Sequence, residues 1–230
     1  MRITRAMCWS LLFCLILALG GCGASGKDDN KPVVKVKTNI GKQTVASLIT
    51  RTKSIKGYSY HYTININGDN KTGQVWASGS QRRAETTIDG QKVVAIYDRR
   101  QQMVDIYYPQ QKQVVKMVAD DTPDLVASPE DYLQGILNDR INLLGETKYH
   151  NTQCRLILAQ DPQSQAHLKL WVRTDWGIPV RVESTDPDGN SCVVEYTDIQ
   201  VTPQPPSRFK IPPNTKVVDL VKMMGGNQNP

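Results

Sequence analysis

Few residues in this chain of 230 have both the type and the spacing to do chemistry. His61, His150 and His167 lie far apart, with no His-Glu-x-x-His pair and no Cys/His ligand spacing. His61 and His167 each alternate with apolar residues that would face inward, so both read as exposed strand histidines. Asp120-Asp121 and Asp186-Pro187-Asp188-Gly189-Asn190 collect oxygens. The second lacks the twelve-residue calcium pattern and its terminal Glu, and reads as a hairpin turn. Arg82-Arg83 and Arg99-Arg100 have no interleaved aromatics and read as solvated turns rather than a nucleic-acid platform. No Gly-x-Ser-x-Gly, phosphate-binding loop or dinucleotide fingerprint occurs. The chain is therefore expected to be non-enzymatic, with no metal and no cofactor.

Five cysteines remain: Cys8, Cys14, Cys22, Cys154 and Cys192. Arg2 and Arg5 form a short positive segment, and Trp9 to Leu19 is apolar apart from Ser10. That length suits a signal-peptide core and is short for a membrane span. Leu19-Gly20-Gly21-Cys22 follows directly and resembles the lipobox of bacterial lipoproteins. The resemblance implies cleavage after residue 21 and lipidation (diacylglycerol and palmitate) at Cys22. Each buried methylene contributes about 0.8 kcal/mol, so one chain holds marginally and two or three hold stably. The implied address is extracytoplasmic, on the membrane, with Cys22 as the anchor.

Cleavage recasts the charge. The whole chain carries +6 and a pI near 9.0. Loss of Arg2 and Arg5 leaves 26 basic residues against 22 acidic ones, a balance of +4. Four lysines, Lys27, Lys31, Lys35 and Lys37, lie in the polar stretch after Cys22. Little excess charge is left for a nucleic-acid face, and none is expected.

The elements follow from periodicity. Residues 22–42 read as the lipidated cysteine and a flexible tether. Val45, Leu48, Ile49, Thr52 and Ile55 make one stripe on a helix over Thr44 to Ile55, ended by Gly57. From Tyr58 the period becomes two. Six short strands follow to Val118, with Asn67-Gly68 and Asp89-Gly90 as hairpin turns. Ala119 to Tyr149 reads as one or two short helices. Ser128 would cap the first with Pro129 at its opening position, and Tyr132, Leu133, Ile136, Leu137, Ile141 and Leu144 would share a face. The segment Asp131 to Leu144 would then be a helical lid. Four more strands run from Cys154 to Asp198. A Pro-rich segment from Val201 suits an extended strap. A single domain over residues 43–222 is expected, with a frayed tail over 223–230.

Each strand offers one apolar face. Val104 and Ile106 oppose Asp105 and Tyr107, Leu168 and Leu170 oppose Lys169 and Trp171, and Val180 and Val182 oppose Arg181 and Glu183. Few helices must cover about ten strands, so the expected fold is mainly β (α+β). It is a strongly curved antiparallel sheet forming an incomplete barrel, covered by two or three short helices. Its concave side is either a packed core or an apolar cavity for a ligand. Cys154 and Cys192 would sit on third-neighbour strands, about 14 Å apart at roughly 4.8 Å per strand. That exceeds the roughly 7 Å reach of a disulfide, which favours two separate buried thiols.

The order of these segments resembles the lipoprotein-carrier superfamily, which includes LolA, LolB and the RseB/MucB regulators. The cues are Gly57-Tyr58-Ser59-Tyr60, Gly73-Gln74-Val75-Trp76, Val94-Ala95-Ile96-Tyr97-Asp98, and the run Leu170 to Val180 with its Trp176-Gly177-Ile178-Pro179 turn. Glu195-Tyr196-Thr197-Asp198-Ile199 and Phe209-Lys210-Ile211-Pro212 close the set. The resemblance implies a half-barrel that holds a lipid or lipoprotein acyl chain. Among the strand residues, Ile106, Leu168, Leu170, Val180 and Val182 would line the cavity. A monomer is expected, tied to the membrane through Cys22. The alternative is an RseB-like envelope regulator or assembly factor acting through protein contacts.

Overall fold

The computed structural model describes residues 35–119 and 128–225. Cys22, residues 22–34 of the expected tether and residues 226–230 of the expected tail lie outside the described residues. The chain opens on a helix, α1 (Lys35–Lys53). Six strands follow: β1 (Gly57–Ile66), β2 (Asp69–Ser78), β3 (Gln81–Ile88), β4 (Gln91–Asp98), β5 (Met103–Tyr108) and β6 (Gln113–Val118). A short helix, α2 (Pro129–Gly135), runs into a single 3-10 turn, Ile136–Asn138. Five strands come next: β7 (Arg140–Tyr149), β8 (Thr152–Gln160), β9 (His167–Arg173), β10 (Pro179–Thr185) and β11 (Ser191–Gln200). The Pro-rich segment holds a second 3-10 turn, Pro206–Phe209. It leads to β12 (Lys216–Asp219) and α3 (Leu220–Gly225).

All twelve strands join one open, curved sheet, in the order β12-β6-β5-β4-β3-β2-β1-β11-β10-β9-β8-β7. The two meanders meet where β1 pairs with β11, Tyr62 opposite Tyr196 and Ile64 opposite Val194. Every pairing is antiparallel except β12 with β6. Hairpin turns carry much of this order. Asn67-Gly68 and Asp89-Gly90 hold positive φ at both central residues, the type I′ geometry that matches strand twist. Irregular registers at Ser59/His61, Leu143/Gly145 and Pro179/Arg181 bend the ribbon.

The concave side carries one continuous apolar cluster. Tyr60, Val75, Ala84, Ala95, Val104 and Ile106 come from one half, and Ile157, Leu170, Val182 and Val194 from the other. Val45, Leu48 and Ile49 of α1 and Leu133 of α2 close over it. A smaller cluster lies on the convex side, where Phe209 of the strap packs with Trp76, Val94, Ile96 and Tyr107. That crossing strap delivers β12 to the β6 edge in the parallel sense, with Lys216 opposite Gln113.

Two expectations change. The helix expected over Thr44 to Ile55 starts at Lys35, inside the stretch read as tether, and ends at Lys53. The segment Asp131 to Leu144 is not one helix: from Arg140 it is strand, with Ile141 buried and Leu144 52% exposed. The Gly145 bulge breaks the alternation of β7, which hid its period. His150 and Asn151 turn the β7–β8 hairpin at positive φ without a glycine, so the usual turn signal is missing.

α1 is seated by the β9–β10 turn. Thr52 Oγ1 lies 2.9 Å from the Gly177 carbonyl and 3.1 Å from that of Leu48. Arg51 donates to the Thr174 carbonyl. Gly177 holds φ +69°, and a Cβ there would lie 2.1 Å from the Leu48 carbonyl oxygen. Gly79 has a similar φ of +56° but open space around it. Gly79→Ala should therefore lose only the left-handed penalty, about 1–2 kcal/mol. Gly177→Ala should lose more, at least ~3 kcal/mol, because α1 must also shift. Urea unfolding of both variants checks this, and equal losses would refute the seating argument.

Candidate functional site

The concave cluster is open at one end of the sheet. There a hollow of about 300 Å³ lies between the end of α1, α2 and the β1–β4 corner. Its inner wall is apolar: Ile49, Tyr58 and Ala77 belong to the concave cluster itself, and Ile55 packs against it. Its rim is cationic, with Lys53 and Lys56 after α1, Arg82 at the start of β3 and Arg99 in the β4–β5 turn. No carboxylate lines it among the described residues.

Strand phase puts Arg82 there. It pairs with Ala77 on one side and Tyr97 on the other, in the inward phase of Ala84. Its side chain is 9% exposed and meets Asp131 Oδ2 of α2 at 3.6 Å, while Arg99 reaches Asp131 Oδ1 at 3.7 Å. Asp131 also accepts from the Ser128 hydroxyl at 2.6 Å and from the Ser128 backbone N–H at 3.3 Å. The capping carboxylate of α2 thus ties that helix to β3 and to the β4–β5 turn. The reading of Arg82-Arg83 as solvated turns is overturned. Arg82 faces the concave side, and Arg83 pairs with Glu85 at 2.8 Å on the convex side. The signal lay in the alternation Arg82, Ala84, Thr86 against Arg83, Glu85.

The sequence-chosen lining residues divide. Ile106, Leu170 and Val182 are buried in the concave cluster, and Leu168 is half-buried against it. Val180 is buried but belongs to neither apolar cluster. The register passes from Pro179 opposite Val172 to Arg181 opposite Trp171, which leaves Val180 unpaired in a bulge.

The convex face bears a second polar constellation. Glu195, Arg181 and Trp171 stand in lateral register on β11, β10 and β9. Arg181 donates to Glu195 and, at 2.8 Å, to Glu183. Tyr149 reaches over from β7 and donates to Glu195. Lys169 sits 4.7 Å from the Trp171 ring centre. His61 is exposed and pairs with Asp198 at 3.2 Å; His167 is exposed too. The Asp186 carboxylate accepts from Asn190 N at 2.8 Å and Asn190 Nδ2 at 2.9 Å, a closed hairpin turn. Among the described residues, no group of three or more His, Cys, Asp or Glu is placed to hold a metal ion.

Cys154 and Cys192 are both buried and form no disulfide. Cys154 pairs laterally with Arg173, on the convex phase, while Cys192 lies opposite Ile66 in the concave cluster. They sit on β8 and β11, third neighbours on opposite faces. Burial pushes the Cys154 thiol up, which suppresses its thiolate.

No family model and no curated protein matches the chain. Solved structures do. An uncharacterised conserved protein from Thermus thermophilus superposes with a TM-score of 0.55 at 13% identity, over 77% of this chain and 99% of that one. MucB gives a TM-score of 0.54 at 13% identity, over 78% of this chain and 66% of its own. MucB in the Pseudomonas aeruginosa MucA/MucB complex also gives 0.54 at 13% identity, over 78% and 63%. The domain is MucB-like in fold. The chain spans just under two thirds of the MucB chain. At this identity the likeness is one of fold.

Two outcomes follow for the polar and thiol groups. The hydrogen bond from Tyr149 holds the Glu195 carboxyl below its ordinary 4.5, with burial opposing and Arg181 assisting. A lowered value means the carboxylate stabilises fully above pH 4.5, and the contribution is lost as pH falls through the folded-state value. Glu195→Gln should melt below the parent at about pH 7, with the gap closing as the pH falls below the ordinary 4.5. A pH-independent gap would contradict the assignment. Thiol alkylation with mass spectrometry should find Cys154 and Cys192 reduced, unreactive when folded and reactive in denaturant. A Cys154–Cys192 peptide would overturn the two-face placement.

Proposed function

We propose that this chain is a non-catalytic, membrane-anchored extracytoplasmic lipoprotein whose half-barrel binds a lipid or a lipoprotein acyl chain. The observation that carries the reading is the continuity of the concave apolar cluster with the wall of the 300 Å³ hollow at its mouth. An acyl chain entering past Ile49, Tyr58 and Ala77 would meet Ile106, Leu168, Leu170 and Val182. Each methylene buried there contributes about 0.8 kcal/mol before the cost of association. Val180 would support the lining from its bulge. Diacylglycerol on Cys22 would hold the domain at the membrane surface, and α1 and α2 would cover the bound chain.

The MucB-like fold supports a second reading. MucB has been solved in a complex with MucA, so this fold can present a protein-binding surface. An RseB-like envelope regulator or assembly factor would use its surface on a protein partner and need no lipid.

Organic extraction of the purified full chain separates these readings. Extraction removes non-covalent lipid and leaves the acyl groups on Cys22 attached. The lipid-binding reading expects about one extractable lipid per protein by mass spectrometry. It also expects uptake of a fluorescent fatty acid by the emptied protein. A chain that yields no lipid, takes none up, and crosslinks to a protein partner in intact cells would overturn it in favour of the regulator.

A further inference from the structure

The mouth of the half-barrel is chemically two-sided in a way that selects a headgroup. Four cations, Lys53, Lys56, Arg82 and Arg99, converge on a hollow whose inner wall is apolar. Asp131, at 3.6 and 3.7 Å from the two arginines, is the carboxylate that faces them among the described residues. Among the described residues, one carboxylate thus faces four cations at the mouth. Both Asp131 contacts are ion pairs beyond hydrogen-bond length, so Asp131 competes for these guanidinium groups by charge alone.

We propose that this mouth recognises a phosphate-bearing amphiphile, the phosphate held among Arg82, Arg99, Lys53 and Lys56 and the chain directed inward past Ile49 and Tyr58. The proposal rests on the acyl-binding reading and deepens it by naming the headgroup. Three features favour a phosphate over a neutral or zwitterionic head. Guanidinium groups present forked donors that match phosphate oxygens. Arg82 is 9% exposed, so its charge acts in a partly desolvated setting where a counter-anion is worth more than in water. A choline group would bring a fifth positive charge to the four already present. Arg99, 52% exposed, and Lys56, exposed, are free of core packing and can close on a ligand. Among the described residues neither Lys53 nor Lys56 has a carboxylate partner.

The test uses the purified full chain, lysophosphatidic acid and lysophosphatidylcholine of one acyl length below their micelle concentrations, and inorganic phosphate, each by calorimetric titration. Lysophosphatidic acid should bind at least about tenfold tighter than lysophosphatidylcholine. The double variant Lys56→Gln/Arg99→Gln should lower its affinity about tenfold, and that of lysophosphatidylcholine, whose phosphodiester carries less negative charge, by clearly less. Raising the salt on the parent protein should weaken lysophosphatidic acid more than lysophosphatidylcholine, a readout that needs no variant. Equal binding of the two lysolipids, insensitive to salt and to the double variant, would overturn the headgroup proposal and leave acyl binding standing. Binding of neither lysolipid would remove the acyl reading beneath it. Inorganic phosphate binding as tightly as lysophosphatidic acid, with the same loss in the double variant, would make free phosphate the ligand and overturn the amphiphile.

Discussion

The structure depends on the seat of α1. An open sheet with an apolar concave face cannot stand in water uncovered, and α1 is the one long helix among the described residues. Val45, Leu48 and Ile49 enter the concave cluster only if the helix lies close to the sheet. In its second turn, Gly41 lets the backbone approach Ile141 of β7, where a Cβ would lie 2.8 Å from Ile141 Cγ2. At its end, Gly177 and Thr52 lock it to the β9–β10 turn. Apolar burial supplies the attraction, but it is non-directional. The Thr52 and Arg51 bonds to turn carbonyls fix where along the sheet the helix comes to rest.

The convex face solves a different problem. Trp76, Val94, Ile96 and Tyr107 would expose an apolar stripe to water if the sheet were one-sided. The strap covers that stripe with Phe209, and its prolines suit a segment that runs without ladder partners. Farther round the convex face is polar, and Glu195, Arg181, Glu183 and Tyr149 are hydrogen-bonded to one another. The strap thus lies over the apolar outer stripe, with the Arg83–Glu85 pair beside it and Arg83 donating to the Arg208 carbonyl.

Much of this was legible from residue order. Ten strands, the strap, the Ser128-Pro129 start of α2 and the third-neighbour cysteines follow from period-two alternation and turn chemistry, which are local signals. What was hidden has local causes too. β7 escaped because Gly145 shifts the phase of its alternation and because His150-Asn151 turns the chain without a glycine. α1 was read short because the polar, glycine-containing stretch before Thr44 has little helical stripe, and tertiary contact with β7 overrides that. The mouth was missed for a different reason. Arg82 and Asp131 are 49 positions apart in sequence, and Lys56 and Arg99 are 43 apart. Only the pairing of strands and the seat of two helices bring them together.

That dependence links the seat to the site. The last turn of α1 has two sides: Thr52 bonds the Gly177 carbonyl and also lines the hollow, and Ile49 belongs to the concave cluster and also to the hollow's wall. The opposite rim is set by Asp131, which caps α2 and pairs with Arg82 and Arg99. The width of the mouth is therefore fixed by two tethers of unequal strength. The α1 tether is made of backbone acceptors and a glycine with no room for a side chain. The α2 side combines the buried Leu133 with a pair of ion contacts that a competing anion would weaken. The arginines that would hold an anionic head are thus the same ones that Asp131 ties to α2.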